Sequence, residues 1–519
     1  MISGHSNWMR HRLKTLCVAW AKPNRLAVGI ALAAILTCYC LIGRCRLSGD
    51  MYAYAETAQC LLQGKSLYSG VWQDKPLLAL LFYVPVEALF PRSAMAIQAW
   101  LFFWIVLQGV MVRIVVGAAK VSSQIVAYAL MLVLPLQRSD YSWASTEHVS
   151  NLWVVVLLFS AYRLVRDQQG TLWVACLAGF AAICAFNTRQ NTILYAAVPV
   201  LAMLVGHGTR ARKAIYVSFF LAGSAIAAAL IFALVICVAD LIQYYDTLFQ
   251  YPRRYAAATA ITAEATIKIL VKLTRFVLTN SLLFICCLYG AVLFATSSSH
   301  QVRSATRVRL VVLTAVLIGG CVCVAPLKPY DHYWVNLFPP IALLAFSACE
   351  LSDERCHSLL QPVGRGVLAA LLTVSVWQTL ERYRAEPALV KPIHEVAEET
   401  NRATRPGDTL YVLSDWIESS CLCHATLALP AHRFFWCMQL DPYWSTILAE
   451  PIASVIDDYV GHSPTLLLVK DEMLGVTPQQ DVDNKINVVR QNLRENKYDR
   501  IFSLHGFSLY RLREAVKDQ

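Results

Sequence analysis

A series of apolar runs, each close to the length needed to cross a bilayer, limits what this chain can become more than any other feature. The runs recur from near residue 26 to near residue 381. A hydrocarbon core about 30 Å thick needs roughly 20 mostly apolar helical residues to cross it. Inside it, only helices and closed barrels satisfy their own backbone groups. Runs near 26–43, 94–116, 121–137, 149–166, 171–187, 191–206, 214–239, 276–296, 308–325, 335–349 and 364–381 fit that demand. They predict an α-helical polytopic membrane protein of about 11 spans. Composition agrees: 57% of residues are hydrophobic, 15% are charged, and mean hydropathy is +0.49. A soluble domain carries about 25% charged residues. The run Leu77 to Phe90 is apolar but short, is interrupted by Pro85 and Glu87, and follows Lys75-Pro76. It reads as an interfacial or re-entrant segment rather than a span.

The span count fixes which loops share a side. Residues 1–25 hold Arg10, Arg12, Lys14, Lys22 and Arg25 and no acid. They lack a clean small-x-small cleavage site, so an uncleaved first helix is expected, and the positive-inside rule puts this terminus in the cytoplasm. Alternation then gathers the short basic loops at Arg113/Lys120, Arg163/Arg166, Arg210/Arg212/Lys213 and Arg303/Arg307/Arg309 on the same side. Loops 44–93, 138–148, 188–190, 240–275 and 326–334 face outside, with everything after Arg382. If Leu77 to Phe90 crossed as well, the basic loops at 210–213 and 303–309 would face outward, against the rule.

The net charge of +11 points to anionic partners, either lipid headgroups or a phosphate-bearing substrate. Nucleic acid is not expected, because the basic residues are scattered between apolar runs. Most of the 17 cysteines lie inside those runs, where they act as small hydrophobes.

Beyond about Glu386 the chain changes character, and residues 383–519 read as an extracytoplasmic α/β domain behind the membrane domain 26–382. "IHEVAEETNRA" places Ile393, Val396, Ala397 and Thr400 on one helical face. "DTLYVLS" and "TLLLVKD" read as buried strands, "INVVRQNLREN" as a helix, and "RIFSLHGFSLYRL" as a hairpin turning at His505-Gly506. No inverted symmetry of broken helices is visible, which argues against a secondary transporter. Cys421, Cys423 and His424, with His432 and Cys437 nearby, do not follow the usual zinc spacing. A disulfide in an oxidising compartment is the better expectation for these cysteines.

The outward loops hold the polar chemistry. Met51 to Gln63 has helix-forming composition and stops at Gly64. Asp50 at its start would cap it, and Tyr54 lies four residues on, along the same face. Read locally, Asp50 is either a cap or an acid/base group, and Tyr54 either an interface anchor or a substrate contact. Asp74-Lys75-Pro76 is either an exposed loop or a lysine aimed at a phosphate, with Asp74 positioning it. Glu147 and His148 sit at the mouth of the fourth span; there the carboxylate could cap the helix, bind a metal or orient a sugar hydroxyl. Arg189 and Gln190 lie between two apolar runs, where an arginine is costly unless paired with an anion or with a carboxylate such as Glu147. Arg253 and Arg254 lie in a long amphipathic loop, facing lipid or substrate. Lys328, Asp331, His332 and Tyr333 stand at a later helix mouth, and Pro339-Pro340 should kink or delay the helix that follows.

These stretches resemble a known family. "GDMYAYAETAQCLLQGKSLYSGVWQDKPLL" is similar to the first external loop of the GT-C membrane glycosyltransferases, in particular the protein mannosyltransferase/aminoarabinose transferase-like group (glycosyltransferase family 39-like). Asp50, Tyr54, Gly64, Tyr68, Asp74, Lys75 and Pro76 fit that loop, with one extra residue between Gly64 and Tyr68. "TEHVSNLW", "RQNTILYAAVPVLAML" and "DHYWVNLFPPIALLAFSA" resemble later blocks. Met51 stands where the family usually has a second acid, and Leu77 where it has a second proline.

The resemblance implies an inverting enzyme that moves a sugar from a polyprenyl-phosphate donor to a lipid, glycan or protein acceptor, such as lipid A or lipopolysaccharide. It implies Asp50 as general base or acceptor-orienting group and Glu147 as the second-loop acid. Lys75 would be a donor-phosphate cation, with Arg189, Arg253 or Arg254 as a further one. His332 and Tyr333 would line the donor site, and Tyr54, Asp74 and Gln190 would contact substrate. No cofactor is implied, and a divalent cation stays open. A transporter or flippase of a lipid-linked intermediate is the alternative, and a non-catalytic scaffold a third reading. Lacking a retrieval signal and a large inserted lumenal domain, the chain reads as a protein of the bacterial inner membrane with its site on the periplasmic side.

Overall fold

In the computed structural model the described residues are 25–42, 49–137, 145–258, 302–324 and 331–351. In the tail they are 387–430, 464–471 and 497–513, apart from short gaps and with single positions elsewhere. The helices are α1 (Arg25–Ile42), α2 (Gly49–Leu62), α3 (Leu77–Leu81), α4 (Val84–Leu89), α5 (Ala94–Val116), α6 (Val121–Val133), α7 (Thr146–Arg166) and α8 (Leu172–Phe186). They continue with α9 (Ala197–Val205), α10 (Arg210–Val238), α11 (Leu241–Tyr245), α12 (Tyr251–Ala258), α13 (Val302–Val324), α14 (Phe338–Leu351), α15 (Pro387–Ala403) and α16 (Trp416–Ala425).

Among the described residues, α5, α7, α10, α13 and the segment ending in α14 are long and apolar enough to cross a membrane. The expected span near 26–43 is α1, a helix of 18 residues; those near 121–137, 171–187 and 191–206 are shorter apolar helices. The expected span near 276–296 lies almost wholly outside the described residues, as does the first half of the one near 364–381. Leu77 to Phe90 forms the two short helices α3 and α4, as its interrupted pattern predicts. Pro339 and Pro340 fall in the first turn of α14, behind a 3-10 segment Asp331–Leu337. The prolines delay the α-helix rather than kink it, because their missing N–H groups cost nothing in a first turn.

Close packing holds the bundle. A Cβ on Gly179 of α8 would stand 1.8 Å from the Phe220 carbonyl oxygen of α10, and one on Gly223 would meet the Cys176 carbonyl equally closely. Only glycine lets these two backbones touch, the small-residue contact that replaces hydrophobic drive between helices in lipid. Ser224 Oγ donates across the same contact to the Gly179 carbonyl at 3.1 Å.

In α7, Val149 to Leu152 and Val154 to Tyr162 are buried, which makes it the central helix. Its two ends meet different partners. At one, Glu147 meets Arg189 and His332; at the other, Arg166 pairs with Glu350 at 3.1 Å.

The tail forms a five-stranded mixed sheet in the order β2-β1-β3-β5-β4, from β1 (Thr409–Leu413), β2 (Leu429–Pro430), β3 (Leu466–Lys470), β4 (Tyr498–Leu504) and β5 (Phe507–Leu512). The hairpin turns at His505 and Gly506, whose φ angles of 51° and 78° give the tight turn that matches strand twist. Helix α15 covers "IHEVAEETNRA", whereas the expected helix at "INVVRQNLREN" lies mostly outside the described residues. Helix α16, which the sequence reading did not anticipate, packs on α2 and so puts the tail on the same side as the loop 44–93.

Candidate active site

The polar groups gather at one end of the bundle, where the segment 49–92, the turn at 187–191, the start of α7, the segment 239–258 and the 3-10 segment Asp331–Leu337 meet. Backbone hydrogen bonds stitch them together. Leu67 N donates to the Val238 carbonyl at 2.8 Å, Asp240 N to Leu67 at 3.2 Å and Leu78 N to Asn187 at 3.1 Å.

Asp50 does not stand ahead of α2, at the capping position the sequence suggested. The helix already begins at Gly49, which places Asp50 in its first turn, where the helix dipole favours a carboxylate. It is half-buried. Burial pushes its carboxyl up to about 6; Lys75 pulls it back, Asp74 adds to the rise, and Arg189 pulls it down. Four groups that the sequence spread over 140 positions therefore share one electrostatic field.

Lys75 Nζ bonds Asp74 Oδ2 at 2.6 Å. Burial alone would lower the lysine, but Asp74 and Asp50 outweigh it and hold its pKa above the ordinary value. Tyr68 has a positive φ of 71°, unusual for a large residue. This turn buries the ring beneath the loop, where the hydroxyl donates to the Lys75 carbonyl at 2.9 Å. Tyr251, at the start of α12, donates to Asp74 Oδ2 at 3.4 Å and meets the Trp72 ring edge-on at 5.9 Å. Asp74 Oδ1 is buried with no hydrogen-bond partner. Tyr54 is buried with its ring 5.8 Å from that of Tyr83.

Across the site, Arg189 forms an ion pair with Glu147, donates from Nε to Asn191 Oδ1 at 3.0 Å, and stacks 4.5 Å over the Tyr333 ring. His332 Nε2 lies 3.8 Å from Glu147 Oε1. Behind them, Asn336 Nδ2 donates to Asn151 Oδ1 at 2.9 Å and to Ser150 Oγ at 3.1 Å. Tyr195 donates to the Asn336 carbonyl at 2.6 Å. This clamp fixes His332 and Tyr333 against the start of α7.

Two further expected cations lie on α12, just after Tyr251. Arg254 is taken up by Asp246 at 3.0 Å and Arg253 is exposed; both follow Tyr251 within a turn. Gln190 opens a 3-10 segment and is partly buried. Met51, in place of the second acid, is buried in the core and accepts a hydrogen bond at 3.6 Å from Gln98 Nε2 of α5. Among the described residues no group of three His, Cys, Asp or Glu could hold a metal. Cys421 and Cys423 are buried in α16, and His424 bonds Glu87 rather than any thiol cluster. His432 and Cys437 lie outside the described residues.

Sequence reasoning missed Tyr251, Tyr195 and Asn336. Their only signal was a polar group beside an apolar run, which the chain repeats at many places.

No family model matches the sequence, and no curated protein matches it either. Solved structures do match. ArnT from Cupriavidus metallidurans in the apo state is similar over 95% of this chain and 98% of its own, with a TM-score of 0.60 and 13% identity. The same protein bound to undecaprenyl phosphate gives 0.59 at 12% identity, over 94% of this chain and 98% of that one. The arabinofuranosyltransferase AftD from Mycobacteria gives 0.52 at 13% identity, covering 95% of this chain but 40% of that larger one. The chain is a membrane protein with the fold of the GT-C glycosyltransferases.

Proposed function

We propose that this chain is an inverting glycosyltransferase that moves a sugar from a polyprenyl-phosphate donor to an acceptor hydroxyl at the outer, periplasmic face of a bacterial inner membrane. One observation carries the reading: a carboxyl with a pKa of about 6, Asp50, shares its field with the two cations Lys75 and Arg189. In the reaction the acceptor oxygen attacks the anomeric carbon from the face opposite the phosphate. The new glycosidic bond forms as the carbon–oxygen bond to phosphate breaks, and that electron pair leaves on the lipid phosphate. The hydroxyl proton passes to Asp50, which is mostly ionised at pH 7 and so ready to receive it. Lys75, kept protonated by Asp74 and Asp50, meets the charge that grows on the phosphate. Arg189, His332 and Tyr333 line the same end, with Glu147 holding Arg189.

The similarity to a structure holding undecaprenyl phosphate supports a lipid-phosphate donor. The acceptor is a lipid such as lipid A, another glycan or a protein. Reconstituting the chain in vesicles with polyprenyl-phosphate sugars and following the acceptor mass tests the reading. A mass increase of one sugar that vanishes in Asp50→Asn and Lys75→Ala supports it. Full transfer by both variants overturns the site, and transport of intact donor without transfer favours a flippase.

A further inference from the structure

The junction between the tail and α2 is a buried polar cluster that the reaction above does not use. His424 Nε2, at the end of α16, lies 3.0 Å from Glu87 Oε1. The His424 ring also faces Tyr52 of α2 at 5.5 Å. Glu87 Oε2 accepts from Gln59 Nε2 of α2 at 2.6 Å and from the Arg92 amide at 2.8 Å. The Arg92 guanidinium then reaches three ways: to Glu56 Oε2 of α2 at 3.1 Å, and to the carbonyls of Cys423 at 3.0 Å and His424 at 2.6 Å.

Those carbonyls are the last of α16, where a cation is favoured by the helix dipole. Arg92 holds a left-handed φ of 60°, which few large residues adopt. Its amide and its side chain thereby serve the two sides of the junction at once. Glu56 and Gln59 are one turn apart on the face of α2 that meets this cluster, and Asp50 lies on the same helix two turns before. The helix that bears the candidate base is thus gripped by groups from a domain more than 300 positions later.

We propose that the C-terminal domain is a positioning element for α2. Docking of α16 through His424–Glu87 and Arg92–Glu56 holds the helix, and with it Asp50, in register with Lys75 and Arg189. His424 and Arg92 are positioning residues, since neither touches the reacting atoms. The inference rests on the glycosyltransferase reading for its consequence, whereas the mechanical coupling stands on the contacts alone.

The experiment compares wild type, His424→Ala and His424→Gln in vesicles with a polyprenyl-phosphate sugar. It also measures amide exchange across residues 49–62. His424→Ala should lower kcat about tenfold or more while donor KM stays within about threefold, because a misplacement near 1 Å can cost about a hundredfold in rate. Exchange in α2 should rise, and glutamine, which can still donate to Glu87, should restore both. If His424→Ala fails to fold, Arg92→Gln carries the same readouts, since its shorter, uncharged side chain cannot reach Glu56 and the Cys423 and His424 carbonyls that one Arg92 nitrogen serves.

A kcat within about twofold of wild type, a loss confined to KM, or unchanged exchange in α2 overturns the proposal. If wild type itself transfers no sugar, the glycosyltransferase reading falls, and the exchange data alone then decide the coupling.

Discussion

The Arg189 guanidinium lies 4.5 Å above the Tyr333 ring while it grips the Glu147 carboxylate. Both charges are nearly buried, with side-chain exposures of 10% and 3%, so each depends on the other. Removing one partner of such a pair costs about 3–5 kcal/mol, whereas replacing both with apolar side chains of similar volume is often neutral. Glu147→Ala should therefore lower unfolding stability in detergent by that amount. The double variant Glu147→Leu with Arg189→Met should recover most of it, yet remain inactive in sugar transfer. A double variant as unstable as the single one would show that the pair does not hold this end of the bundle.

The rate should depend on pH through Asp50. Its carboxyl is raised from 3.8 to about 6, and transfer needs the ionised form. Between pH 4 and 6 the rate should climb about tenfold per unit, then level off above pH 6. In Asp50→Asn the rate should fall by about two to four orders of magnitude and lose that acid limb. Initial rates across a pH series check both.

Tyr251 reaches Asp74 from the start of α12, 177 positions away. Tyr251→Phe removes one hydroxyl and leaves the edge contact with Trp72. The loss should be about 1 kcal/mol, read as a roughly fivefold fall in kcat/KM, with stability almost unchanged. A fall as large as that of Lys75→Ala would instead place the Tyr251 hydroxyl on the substrate.

The sequence showed the fold well wherever an element had a strong period or a clear stop. Among the described residues the apolar runs are helices, Gly64 ended α2 with a φ of 83°, and His505-Gly506 turned the hairpin. The break in Leu77 to Phe90 was legible too, because Pro85 suits the first turn of a new helix and the Glu87 carboxylate is costly in a lipid-facing span. The grouping of charges at the candidate site was legible: Asp50, Asp74, Lys75, Glu147 and Arg189 stand out against apolar neighbours, and the fold brings them to one end of the bundle. Tyr251, Asn336 and Tyr195 were not, because a neutral polar residue at a helix end has no signature that separates a clamp from a solvated loop. Met51, which stands where the resemblance would put a second acid, is packed in the core against Gln98. Helix α16 was hidden for another reason. Its "CLCH" reads first as chemistry, while its work is packing on α2 across a separation no local pattern encodes.

Glu56 gives a stability prediction whose sign is opposite to that of an ordinary ion-paired acid. Burial pushes its carboxyl from 4.5 up to about 8; Arg92 draws it down and Glu87 adds to the rise. One of its oxygens, Oε1, is buried with no hydrogen-bond partner. The folded state therefore holds a proton that the unfolded chain releases once pH passes 4.5. Stability contributed by this proton is present below pH 4.5 and is lost as pH rises toward 8. Asp50 acts in the same direction between 3.8 and about 6, so the window from pH 6 to 8 belongs to Glu56. Glu56→Gln keeps an acceptor for Arg92 but carries no titrating proton. Its unfolding midpoint in detergent should stay nearly flat from pH 6 to 8, where that of wild type declines, and at pH 8 the variant should be the more stable of the two. A variant that loses stability with pH as steeply as wild type would mean that Glu56 is already ionised in the fold and that Arg92 outweighs its burial.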